Sequence, residues 1–327
     1  MRTVITHFDG DPFVAEFWLR LYEKYWRGEV NKIYTDICFD PELVPEPIIE
    51  YQKKLFLKYP EITTRWQPSP QVPEISNNQL IPQAEGETIM LTESDGFIFR
   101  SGVVDSCFKK IEEGGYDLCS APFFIIPGGL SEALGTRGHM RCFLFVKKEL
   151  LNKIEIDLMP RHLARGIKIN GLTDFLDKEY DTDCFGWVSV QLAALKPNTF
   201  WTEANLCEPD FWDKSERYRD YGWVHVRQMN SSVLGFGCKF FKGFAQKEKK
   251  IIKEMRMALS GGKPAEWQYV KACAFRLLML ETFSDKEEIG DYYNTYRNVI
   301  LDVISTLKVD FAKIPAMKGY FKGLMEI

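Results

Sequence analysis

Apolar and polar positions change period several times along the first 130 residues, and each change marks an element. Thr3 to Phe8 is a short run rich in β-branched side chains, which predicts a strand. Asp9, Gly10, Asp11 and Pro12 then supply a turn, an N-cap at Asp11 and a proline at the first helical position. Phe13, Val14, Phe17, Trp18, Leu21, Tyr22 and Tyr25 recur at three- and four-residue intervals, so a helix with a broad apolar face follows, ended by Gly28. A second strand is expected over 32–39, a helix over 46–59 and a third strand over 62–66. Pro68, Pro70, Pro73 and Pro82 among Ser, Asn and Gln make 68–86 a loop or a short helix. A strand then opens at Ile89, a helix over 103–113 is closed by Gly114 and Gly115, and an apolar strand runs over 118–126. Strands alternating with helices imply an α/β fold with an open, Rossmann-type sheet, mixed but largely parallel, and helices on both faces.

Beyond this point the pattern loosens. Residues 128–141 are glycine-rich and polar, 141–147 read as a strand, and the stretch to 238 is loop-rich, with Trp201, Trp212 and Trp223 along it. Within it, 184–195 has the composition of a helix. The remainder is helical in period, over 240–259, 264–282 and 285–307. The expected organisation is one region, 1–238, in halves 1–127 and 128–238, the second shaping a pocket, followed by a helical segment, 239–327.

Composition narrows the class. The chain has 327 residues, 45% of them apolar and 14% aromatic, enough for a full hydrophobic core. No run approaches the roughly 18 apolar residues of a membrane span, and the N-terminus has no signal-peptide pattern. The eight cysteines form no Cys-x-x-Cys pair, which argues against a structural zinc or a disulfide scaffold and makes a reducing cytoplasm the expected setting. The net charge of −4 is uneven: residues 239–327 carry 16 Lys/Arg against 11 Asp/Glu, a net +5, which leaves −9 for the first 238.

The most informative stretch is Ile89 to Phe99, where an apolar strand ends in Glu93, Ser94, Asp95 and Gly96 and then restarts. Residues two apart in an extended chain share a side, so Glu93 and Asp95 can face one ion or one ribose. Oxygen ligands suit Mg²⁺ or Mn²⁺, ions that commonly keep substrate phosphates in their shell. Acidic residues before a glycine also simply end a strand and open a turn. In an open sheet, ligands sit beyond the carboxyl ends of the strands, where Phe8, Asp9, Asp36 and Ser94 would gather with this pair. Asp9 and Asp36 are candidates for the base or ribose of a nucleotide, or else turn formers. Arg137, His139 and Arg141 follow glycine turns and are placed to meet phosphate or acceptor, or form a solvated loop.

Three stretches together, Val4 to Phe8 with its acidic turn and aromatic helix, Leu91 to Phe97, and Trp223 to Arg227, resemble the GT-A superfamily of nucleotide-sugar glycosyltransferases. More narrowly, they resemble divergent family-two-like enzymes of bacterial viruses (bacteriophages), some of which glycosylate modified bases in DNA. The likeness covers roughly the first 230 residues. It implies a GT-A-like catalytic domain over 1–238, with a nucleotide-sugar-binding half (1–127) and an acceptor half (128–238), whose Asp-x-Asp motif, which binds a metal on the donor diphosphate, falls here on Glu93 and Asp95, with glutamate in the first place. It also implies His225 as a further metal ligand, although a lone histidine on an apolar strand is also a common core residue. Asp183, ahead of the expected helix 184–195, takes the place of the catalytic base, with Asp181 as the alternative; as an N-cap Asp183 would serve only the helix. The base would take the proton of an acceptor hydroxyl as it attacks the anomeric carbon.

The cofactors implied are Mn²⁺ or Mg²⁺ with a nucleotide-sugar, a UDP-sugar first. Lys239 to Lys250 interleaves lysines with phenylalanines, as a protein that grips DNA phosphates and stacks on an extruded base would, or as an ordinary helix with its lysines outside would. Lys308, Lys313, Lys318 and Lys322 add a second basic cluster. The preferred acceptor is therefore a hydroxymethylated pyrimidine in viral DNA, and a glycan or lipid-linked saccharide is the alternative. Two other classes stay open: a non-catalytic binding protein on a degenerate transferase fold, and a nucleotidyltransferase.

Overall fold

The computed structural model describes residues 1–9, 12–39, 41, 46–69, 73–94, 96–98, 100–122, 129–130, 134, 138–166, 178–182, 185–202 and 222–225. The expected helices of the 239–327 segment, its basic clusters and the N-cap Asp11 lie outside them.

In chain order the elements are β1 (Arg2–Asp9), α1 (Pro12–Leu21), β2 (Lys32–Cys38), α2 (Glu46–Phe56), β3 (Ile62–Gln67), α3 (Pro73–Gln83), β4 (Thr88–Thr92) and β5 (Gly96–Ile98). They continue as α4 (Val103–Glu112), β6 (Leu118–Pro122), β7 (His139–Lys147), α5 (Lys148–Leu151), β8 (His162–Leu163), β9 (Tyr180–Asp181), α6 (Gly186–Leu195), β10 (Thr199–Trp201) and β11 (Trp223–His225). Seven strands form one sheet in the order β10-β6-β7-β4-β1-β2-β3. Every neighbouring pair is parallel except those made by β7, which runs against both β4 and β6. The sheet is thus the expected open mixed one. The reversed strand matters for the site, because it brings its amino end to the edge where the other strands have their carboxyl ends.

Alternation along the strands explains why both faces are covered. Ile5, Ile89, Leu91, Leu144 and Val146 point to one side, where they pack with Leu80 and Ile81 of α3, Ala84 just after it, and Val188 and Leu192 of α6. The other side carries Phe8, edge-on to Trp18 of α1 and Phe56 of α2, and Phe145, edge-on to Phe108 of α4. Gly28 does not stop the first helix: beyond α1 the chain makes a π-helical turn, Tyr22–Trp26, and a 3₁₀ turn, Arg27–Glu29. Trp18 stacks on Tyr22 there and Trp26 meets both edge-on, so aromatic packing carries the coil past the glycine. Residues 73–83 resolve into an 11-residue helix with Pro82 inside it. Cys38, Cys107, Cys119 and Cys142 are buried and form no disulfide. Among the described residues no helix is long and apolar enough to cross a membrane.

Candidate active site

The carboxyl ends of β1, β2 and β4 and the amino end of β7 meet at one edge of the sheet. His7 lies opposite Asp36 in the β1/β2 ladder, and Asp36 lies opposite Arg65 in the β2/β3 ladder. The Asp36 carboxylate is fully buried. It accepts hydrogen bonds from Arg65 Nε and a terminal nitrogen, each at 2.5 Å, and one from the Ser76 hydroxyl. The bonds to Asp36 raise the pKa of the guanidinium further. Asp36 is therefore aimed and neutralised by its neighbours on β3 and α3. Phe8 is buried against α1 and α2, and Asp9 is the last residue of β1, level with Cys38.

His7 is the centre of this row. Burial pushes its pKa down to about 4, with Asp36 and Glu93 pulling it up and Arg141 pushing it down, so the ring is neutral near pH 7. Its Nδ1 is buried and has no hydrogen-bond partner.

On the other side of His7, β4 ends and the chain makes a tight turn in which Gly96 N–H donates to the Glu93 carbonyl at 2.9 Å. A Cβ at Gly96 would lie 3.0 Å from Thr92 Oγ1 and 3.2 Å from the Cys142 and Glu93 carbonyl oxygens, which is why glycine fits there. The Glu93 carboxylate Oε1 accepts from Arg141 Nε at 2.7 Å and from a terminal Arg141 nitrogen. The Arg141 side chain is 8% exposed and that of Glu93 21%. Ser94 is buried, and Asp95 lies outside the described residues.

β5 continues from this turn and pairs antiparallel with β11, with Gly96 opposite His225. Trp223 anchors β11 by stacking flat on Phe143, 4.2 Å between centroids and 4° between planes. Backbone pairing thus brings position 225 beside the turn that holds Glu93, although the two are 132 positions apart in the chain. The hard oxygens of Glu93 suit Mg²⁺ or Mn²⁺. A carboxylate engaged by a guanidinium can still meet a cation through water, so Glu93 by itself is compatible with such an ion. Among the described residues no three His, Cys, Asp or Glu side chains are grouped to hold one.

Asp181 is on a different element. It sits in the β8/β9 pair, opposite His162, and its Oδ1 is 2.9 Å from His162 Nδ1. That bond raises the pKa of the exposed imidazole. The hairpin leads into α6, and Asp183 and Arg137 lie outside the described residues. At the amino end of β7, His139 is buried, which pushes its pKa down to about 3, and stacks on the partly exposed Trp201 at 4.8 Å and 5°. Arg65 and Ser76 were not singled out from the sequence. The readable signal was Arg65 in the strand run Ile62 to Gln67, level with Asp36 only once the register is known.

No protein-family model matches the sequence, and no curated protein matches it. Among solved structures, the chain is similar to the mannosyltransferase PcManGT from Pyrobaculum calidifontis, solved with GDP-Man and Mn²⁺: 12% identity over 96% of this chain and 85% of that one, TM-score 0.44. It is similar to S. aureus TarS at 12% identity over 93% of this chain, TM-score 0.42, and spans about half (49%) of that protein. The galactosyltransferase LgtC, in complex with donor and acceptor sugar analogs, is 10% identical over 69% of this chain and 87% of its own, TM-score 0.41. At these identities and scores the likeness says nothing of substrate, and the functional conclusion is drawn from the residues.

Proposed function

We propose that this chain is a glycosyltransferase that moves a sugar from a nucleotide-sugar, a UDP-sugar first, to a hydroxyl acceptor. The observation that carries the reading is the convergence of the Glu93 turn and the backbone of His225 on the strand edge that also holds Phe8, His7 and Asp36. In open α/β sheets that edge is where ligands bind. In this reading Phe8, Asp9 and Asp36 flank the base and ribose, Ser94 and Arg137 meet the diphosphate, and Glu93, Asp95 and His225 hold Mn²⁺ or Mg²⁺. The ion, when bound, supplies positive charge to the leaving diphosphate. Asp183, with Asp181 as the alternative, takes the proton from the acceptor hydroxyl. A neutral His7 fits this arrangement, since burial leaves little water to solvate a charge on its ring.

The acceptor we favour is a hydroxymethylated pyrimidine in viral DNA, on the strength of the basic, aromatic-interleaved run 239–250, with a glycan or lipid-linked saccharide as the alternative. A cytoplasmic setting follows from that acceptor. Binding to hydroxymethylated duplex that weakens steeply with salt supports the DNA acceptor, and salt-insensitive binding argues for a saccharide. A second reading, a binding protein without turnover, is favoured by one observation: Glu93 is already engaged by Arg141.

The test is release of nucleoside diphosphate from a panel of UDP-, GDP- and TDP-sugars with and without Mn²⁺, in the wild type and in Asp95→Ala. Metal-dependent release lost in the variant supports the transferase. Nucleotide-sugar binding without release from any donor supports the binding protein, and pyrophosphate release from a nucleoside triphosphate would point to nucleotidyl transfer.

A further inference from the structure

An arginine that is 8% exposed and gives two hydrogen bonds to one oxygen of Glu93 is an unusual neighbour for a turn read as a cation site. The charges decide what it does. Glu93 and Asp95 together bring two negative charges, and Arg141 cancels one of them. Because both groups of the pair are largely out of solvent, water screens little of that effect. Their influence reaches His7, whose pKa Arg141 lowers and Glu93 raises, so the pair acts on the same row of groups as Asp36. A divalent cation arriving at Glu93 must share it with a fixed guanidinium and is repelled by it. An anionic diphosphate arriving first meets an acidic turn. Arriving together, the two compensate each other, and the guanidinium gains a second anion to face.

We propose that Arg141 is a positioning residue that holds Glu93 and cancels one charge of the turn, so that divalent cation and donor diphosphate bind there together and each binds poorly alone. The inference rests on the nucleotide-sugar reading and names how that site is regulated. The coupling is reciprocal, since whatever factor the nucleotide adds to cation affinity the cation adds to nucleotide affinity.

The experiment is calorimetric titration of MnCl₂ into the full chain with and without UDP, in the wild type, Arg141→Lys, Arg141→Gln and Glu93→Gln. In the wild type UDP is expected to tighten Mn²⁺ binding by about 10-fold or more. Arg141→Gln removes the guanidinium charge from Glu93: Mn²⁺ alone should bind about 10-fold tighter than to the wild type, and the effect of UDP should shrink to about threefold or less. Arg141→Lys keeps the charge and should keep the wild-type pattern, which a loss of packing alone would not. Equal Mn²⁺ affinity in the wild type and Arg141→Gln overturns the inference. If Arg141→Gln does not fold, Glu93→Gln decides: weaker Mn²⁺ binding and lost coupling support the proposal, and unchanged coupling overturns it. UDP that binds no form of the protein, with or without Mn²⁺, overturns the nucleotide-sugar reading as well. UDP that binds with a coupling indifferent to Arg141 overturns this inference alone.

Discussion

The Asp36–Arg65 pair gives a prediction whose size follows from burial. Asp36 has no exposed surface, while the Arg65 side chain is 29% exposed. Arg65→Ala therefore leaves a carboxylate out of reach of water with the Ser76 hydroxyl as its remaining partner in this pair, and an uncompensated buried charge costs about 3–5 kcal/mol. Asp36→Ala strands a guanidinium that water already reaches, and its cost should be smaller, about 2–3 kcal/mol. The double variant removes both charges and should cost less than the sum, with a coupling on the order of 2 kcal/mol. Urea denaturation of the four proteins at pH 7.5 measures the cycle. At about 2–4 °C per kcal/mol for a domain of this size, the Arg65→Ala melting temperature should fall by about 6–20 °C. Strictly additive single effects, or an Arg65→Ala loss below about 1 kcal/mol, would refute the reasoning.

Acid should unfold the protein before its carboxylates are all protonated. His7 and His139 are held at about 4 and about 3, below the ordinary 6.5, so unfolded chains bind protons that the folded one refuses. Stability is then complete above pH 6.5 and is lost as pH falls toward those values; at pH 5 each histidine removes roughly 2 kcal/mol, and a urea midpoint unchanged between pH 7.5 and 5 would disprove the buried, neutral assignment. Gly86→Ala should cost at least about 1 kcal/mol by thermal denaturation, because its φ is +102° and a Cβ would meet the Met1 carbonyl oxygen. Glu29→Gln should lower stability by about 1 kcal/mol, since its carboxylate accepts from Gly102 N–H at 2.5 Å and Asp105 N–H at 2.8 Å and so caps α4; an unchanged melting temperature would remove that role.

Much of the sheet could be read from period and turn chemistry. β1, β2, β3 and α4 fall within a residue or two of their expected bounds, because each is an uninterrupted run closed by Gly, Pro or Asp. α3 was harder, since Ser76 and Asn77 are buried in it and Pro82 lies within it, so its polar face hides the helical repeat. The direction of β7 was not legible: Phe143, Leu144, Phe145 and Val146 would suit a parallel strand equally well. The candidate site divides along the same line. Glu93, Asp36 and Phe8 can be placed near strand ends from the sequence alone, because strand ends are visible there. Arg141, expected to meet phosphate or acceptor or to lie in a solvated loop, is instead a buried residue of β7, and its pairing with Glu93, like that of Arg65 with Asp36, depends on register, a property of the assembled sheet.

The most direct test of the glycosyltransferase account is the melting temperature of the purified chain with a panel of UDP-, GDP- and TDP-sugars, each with and without Mn²⁺. A ligand at about 100 times its dissociation constant adds roughly 2.7 kcal/mol, which a melting curve resolves easily. The account expects a Mn²⁺-dependent rise with one nucleotide class, lost in Asp95→Ala. No rise with any nucleotide-sugar, at any metal concentration, would contradict it.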